Sequence, residues 1–118
     1  MRVRILGCGA SFGSPLAYGR NGNIDINNKR NFRTRSSVLI NIDDYNLLID
    51  TSPDLKQQLY DAKCTHIEAV LYTHLHSDHV SGIPDMRTIS LINKKIIPAY
   101  MSTEMKKKIS INYKFIFE

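Results

Sequence analysis

The sequence predicts an α/β fold in which strands and helices alternate and a sheet carries a layer of helices. Three observations point there. Two β-branched runs, Ser36 to Ile42 and Leu47 to Thr51, flank a short polar connection; a helix-start pattern, Thr51-Ser52-Pro53-Asp54, follows the second; and Ile67 to Thr73 has the length and apolarity of a buried strand. With 118 residues, 42% hydrophobic and 23% charged, the chain has room for one domain with its own core, and its composition excludes disordered and fibrous classes. The longest apolar runs, such as Val38 to Ile40 and Ala69 to Tyr72, fall far short of the roughly 20 residues a membrane helix requires. Gly7 follows Leu6 before the apolar centre of a secretory signal can form. No membrane partner and a cytoplasmic location are therefore expected.

Taken in order, Met1 to Leu6 alternates apolar and charged residues like a half-buried strand, then meets the turn Gly7-Cys8-Gly9-Ala10-Ser11-Phe12-Gly13-Ser14-Pro15. The glycine spacing is not that of a dinucleotide fingerprint, and Pro15 stands where its helix should open, so the turn is read as backbone geometry that shapes a site. Leu16 to Arg35 has no periodicity and is expected to be a long loop. The next two runs form a hairpin across the four residues Asp43-Asp44-Tyr45-Asn46, and the second strand ends on Asp50. A helix is expected over Pro53 to Ala62, with Leu55 and Leu59 as its buried stripe. Downstream lie a short helix near Met86 to Ile92, a strand near Ile96 to Met101, a basic helix over Thr103 to Lys108, and an apolar finish from Tyr113 to Phe117.

The formal charge of +5 is concentrated at the N-terminus, where residues 1–35 hold seven basic side chains against the single acid Asp25. Such a loop either attracts anionic partners, phosphate esters or nucleic acid among them, or is a solvated surface. Because Arg20, Lys29, Arg30, Arg33 and Arg35 lie between the first strand and the hairpin ending at Asp50, they are expected beside the mouth of any site there. Arg33 and Arg35 are the candidate substrate-binding pair. Cys8 and Cys64 lie 56 positions apart without a C-x-x-C pairing, and are expected to be buried free thiols rather than a disulfide or a zinc knuckle.

Three of the four histidines fall within Thr73-His74-Leu75-His76-Ser77-Asp78-His79, directly after the predicted buried strand. Imidazole nitrogen and carboxylate oxygen suit zinc or a similar divalent ion, and without a metal three imidazolium ions packed so closely would repel one another. In an extended or turning backbone, residues two apart can aim to one side. His74 and His76 can then share one ion while Asp78 and His79 reach a second, and two ions about 3.5 to 4 Å apart activate a bridging water for attack on an ester. His66, alone before its strand, is expected to be a surface or capping residue.

The segment from Thr73 to Ile83 resembles the H-x-H-x-D-H signature of the metallo-β-lactamase superfamily, and Leu47 to Asp54 resembles its upstream strand ending in aspartate. The opening Leu6 to Pro15 and the segment Arg33 to Ile40 narrow the resemblance to the branch containing the cyclic-phosphate phosphodiesterase of phosphonate breakdown and RNase Z-like enzymes. The resemblance implies the N-terminal half of a metallo-β-lactamase-type αββα sandwich and two divalent ions, zinc or manganese. It implies His74 and His76 on the first ion and Asp78 and His79 on the second. Asp50 would orient a ligand and Asp78 would also handle a proton, these two being the candidate catalytic residues. The reaction implied is hydrolysis of a phosphodiester, a cyclic phosphate or a nucleic-acid-related one, by hydroxide generated at the ions. The family completes its site with a later histidine, a bridging aspartate and a last histidine, whereas no histidine follows His79 here; Leu16 to Arg35 also lacks the cysteines that hold a structural zinc in the cyclic-phosphate branch.

Two functions follow. The chain is expected to be a truncated metal-dependent hydrolase completed by a downstream polypeptide, or across a homo-oligomer. The alternative is a non-catalytic remnant that binds metal weakly or associates with a partner through an uncovered sheet face.

Overall fold

Continuous apolar runs give the central strands hydrophobic residues on both faces, and a helical layer sits on one side of the sheet. A computed structural model describes residues 1–17 and 22–117. It places β1 (Arg2–Gly7), β2 (Ser37–Ile42), β3 (Tyr45–Ile49), β4 (Ala69–Leu71) and β5 (Ala99–Tyr100) side by side in that order. The first three strands are antiparallel, while β3, β4 and β5 run parallel. The parallel pairs need helical crossovers. These are α1 (Leu55–Ala62) between β3 and β4, and α2 (Ser77–Val80) with α3 (Ile83–Asn93) between β4 and β5. Helices α4 (Thr103–Asn112) and α5 (Lys114–Phe117) follow β5. Among the described residues no helix is long and apolar enough to cross a membrane.

One core holds these layers together. Leu39, Leu48 and Val70 meet Leu55 and Leu59 of α1, Ile83 and Met86 of α3, and Met105 and Ile109 of α4. Leu48 and Leu55 are completely buried, and each such side chain stabilises the fold by roughly 1.5–3 kcal/mol. The opposite sheet face is also apolar. Ile5, Val38, Ile49, Leu71 and Tyr100 are paired in register across all five strands. Among the described residues no helix covers this row, and Ile5 is 67% and Tyr100 57% exposed.

Several expectations require correction. The hairpin turn is two residues, Asp43-Asp44, rather than four, because Tyr45 and Asn46 already pair with Ile42 and Asn41. β1 is exposed along most of its length rather than half-buried, since it is an edge strand. Helix α1 begins at Leu55, two residues after Pro53, with Leu55 and Leu59 buried as expected. Strand β4 is shorter than Ile67 to Thr73, because β3 ends at Ile49 and β5 contributes two paired residues. Helices α3 and α4 are longer than expected, the apolar finish is helical, and the loop before β2 contains a 3₁₀ turn at Lys29–Asn31. Both cysteines are free, but Cys8 is exposed and Cys64 half-buried, not sequestered in the core.

Candidate metal centre

The site grows from the ends of β3 and β4. Asp50 follows β3 with φ of 57°, a left-handed conformation that aspartate tolerates better than most residues. That turn places its buried carboxylate beside the chain leaving β4. Oδ1 accepts the Thr73 backbone N–H at 2.8 Å, and Oδ2 accepts the Thr73 hydroxyl at 2.6 Å. His79 Nδ1 lies 2.8 Å from the same Oδ2. The backbone carrying His79 is pinned as well. Thr51 N donates to His79 O at 2.8 Å, and Gly82 N donates to Thr51 O at 3.0 Å. Any Cβ at position 82 would stand 2.4 Å from Ser52 O, so glycine lets α2 approach the end of β3 closely.

The three histidines of the motif are packed together. The His74 ring lies 4.7 Å from that of His76 and 4.1 Å from that of His79, centre to centre. Asp78 is buried, with Oδ2 3.3 Å from His79 Nε2. One ligating atom each from Asp50, His74 and His79 fall within 4.8 Å of one another, close enough for one ion. Asp50 nevertheless accepts three hydrogen bonds already, from Thr73 and His79. With His76 and Asp78 beside this group, three imidazoles and a second carboxylate stand at one locus, a donor set that suits a divalent metal ion.

The basic residues are distributed differently. Two of the Arg35 guanidinium nitrogens and its backbone N–H all engage Asp54, at 2.7 to 2.9 Å. Hydrogen bonding to Asp54, with a smaller attraction from Asp78, raises the Arg35 guanidinium above its ordinary value, and the Arg35 fork lowers the Asp54 carboxyl. Arg33 reaches Cys8, Nη1 to Sγ at 3.2 Å, and borders a recess with Phe12, Gly13, Ser14 and Arg35. Lys29 and Arg30 sit on the 3₁₀ turn, and Arg20 lies outside the described residues. His66 is exposed and contacts Asn46 at the start of β3, the opposite end of that strand from Asp50. Burial pushes the Tyr72 hydroxyl up; Thr51 Oγ1 donates to it at 3.3 Å beneath the site. Sequence reasoning missed Thr73, Thr51, Asp54 and Gly82 as supports. Thr73 alone left a signal, a hydroxyl adjoining the first histidine.

Residues 45–118 match the beta-lactamase superfamily domain, and the chain belongs to that family. A diphosphatase of the PhnP family superposes with a TM-score of 0.85 at 29% identity, over 98% of this chain and 46% of that one. Zinc-bound PqqB from Methylobacterium extorquens gives 0.77 at 28% identity, over 98% and 44%. The short form of human tRNase Z gives 0.70 at 27%, over 98% and 40%. These share the metallo-β-lactamase fold, and this chain spans less than half of each. Among curated relatives, an octanoyltransferase of Porphyromonas gingivalis is 42% identical over 75% of this chain but only 18% of its own length. The anti-Pycsar protein of Bacillus phage BSP38 is 26% identical over 81% of this chain and 31% of its own.

Proposed function

We propose that this chain supplies the first half of a two-ion site that hydrolyses phosphodiesters once the remainder of the αββα fold is present. The observation that carries the reading is the convergence of three imidazoles and Asp78 on one locus above the Asp50 carboxylate. In this proposal His74 and His76 hold one divalent ion and Asp78 and His79 the other, zinc or manganese. When bound, such ions activate water as a nucleophile and neutralise charge growing on the phosphoryl oxygens. Asp50 orients His79 through Nδ1, which turns Nε2 toward the ligand position. Asp78, beside His79 Nε2, is placed to hold a proton for the leaving oxygen.

Similarity to a diphosphatase and to a tRNase Z supports phosphate-ester chemistry, as does the basic loop. Arg33 makes no ion pair among the described residues and is free to attract a phosphodiester, whereas Arg35 is held by Asp54. In a completed enzyme, Arg33→Ala should raise KM severalfold and flatten its salt dependence; an unchanged KM would return Arg33 to the solvated surface. The uncovered row from Ile5 to Tyr100 is where the second sheet would pack, whether from a further polypeptide or a second copy.

The test is hydrolysis of a chromogenic phosphodiester with added zinc or manganese. It compares this chain, the chain completed by the remaining half of the fold, and the His76→Ala variant of each. Turnover by the completed form, lost in its His76→Ala variant and near background for the short chain, is expected. An inactive completed form that retains its ions would favour the non-catalytic reading. Cleavage of thioesters or lactams alone would change the substrate class.

A further inference from the structure

We propose that Thr73 is a positioning residue whose hydroxyl sets the tautomer of His74. The inference builds on the site read above. Thr73 Oγ1 lies 2.6 Å from Asp50 Oδ2 and 2.9 Å from His74 Nδ1. A hydroxyl has one proton and an ionised carboxylate only accepts, so that proton is donated to Asp50. Toward His74 the same oxygen has only lone pairs to offer. His74 Nδ1 must then carry the ring proton, and Nε2 is left with its lone pair available.

The arrangement extends the reach of Asp50. His79 is oriented directly, Nδ1 to Oδ2 at 2.8 Å, and His74 through one intervening hydroxyl. The Thr73 backbone N–H, 2.8 Å from Oδ1, holds the carboxylate against rotation. One buried carboxylate therefore presents Nε2 of two imidazoles whose centres lie 4.1 Å apart. An imidazole prepared in this way binds without first shifting a proton between its nitrogens. Without the hydroxyl, His74 keeps its place in the chain but has both tautomers open to it.

The experiment uses the metal-free chain with ¹⁵N-labelled histidine, at a pH where the rings are neutral. Long-range ¹H–¹⁵N correlation reads the tautomer of each ring in the parent chain, Thr73→Val, Thr73→Ala and Thr73→Ser. The parent and Thr73→Ser are expected to hold His74 with the proton on Nδ1, while Thr73→Val and Thr73→Ala populate the Nε2-protonated form. His79 should stay Nδ1-protonated in all four, which confirms that the Asp50 side of the fold is intact. Zinc affinity by chelator competition should fall about tenfold in Thr73→Val and return in Thr73→Ser. A parent His74 protonated on Nε2, or a His74 tautomer unchanged in both hydroxyl-free variants, would overturn the proposal. Zinc failing to bind the parent while the tautomers behave as expected would contradict the two-ion reading and leave the assignment of Thr73 supported.

Discussion

Asp54 illustrates how much a single side chain can organise at this site. Its carboxylate receives three hydrogen bonds from Arg35 and ties the start of α1 to the segment before β2. Since its folded pKa lies below its unfolded value, near 3.9, the pair contributes stability that is present above about pH 4 and lost as the pH falls through the folded value. Both partners reach solvent, so Asp54→Asn should cost only about 1 kcal/mol at pH 7. Urea titrations of parent and variant should differ most above about pH 4 and converge as the pH falls through the folded value; a cost that does not shrink with falling pH would refute the electrostatic account. The cysteines allow a second check. Burial raises the Cys64 thiol, while Cys8 is exposed beside Arg33. A thiol reagent at pH 8 should therefore label Cys8 first, and equal rates would contradict the described burial. At this scale the sequence shows the candidate ligands, because ligand chemistry is a matter of residue type and spacing. It does not show Thr73 or Asp54 at work, because hydrogen-bond partners 19 and 23 positions apart meet only through the fold.

Among the elements, the junction of β3, α1 and α2 decides where the histidines stand. Thr51 holds His79 of α2 and Gly82 just beyond it through one backbone hydrogen bond each, and a Cβ at position 82 would crowd Ser52 and Leu55. Gly82→Ala should cost about 1–3 kcal/mol through crowding, read as a lower denaturation midpoint, and should move the His79 signals; a neutral substitution would show that α2 has slack. The strands β2 and β3 are legible because they are apolar runs, Val38 to Ile40 and Leu47 to Ile49, on either side of a polar connection, and α1 because Ser52 and Pro53 announce it. Helix ends were less so. Lys63 and Lys94 close α1 and α3 in the left-handed conformation that usually marks glycine, so no residue signalled the stop. β5 was overextended because Ile96 and Ile97 are apolar yet lie ahead of the ladder, where Pro98 contributes its carbonyl to Val70 N instead.

For the whole molecule, a sheet with one face against helices and the other bearing Ile5, Val38, Ile49, Leu71 and Tyr100 is an unfinished sandwich in physical terms. Studied alone, the chain should self-associate through that face. Ile5→Lys with Leu71→Lys should return it to a monomer in sedimentation velocity; unchanged association would place the contact elsewhere. The exposure of β1 could not be read from its alternating pattern, which encodes two chemically different faces but not which of them is covered. In the proposed site His74, His76 and His79 ligate metal as a group. Manganese titration of the ¹⁵N-histidine chain tests it most directly, because a paramagnetic ion broadens nearby imidazole signals even when held weakly. These three should broaden together at substoichiometric manganese while His66, at the far end of β3, stays sharp. Broadening of His66 to the same degree, or of none of the three, would contradict it.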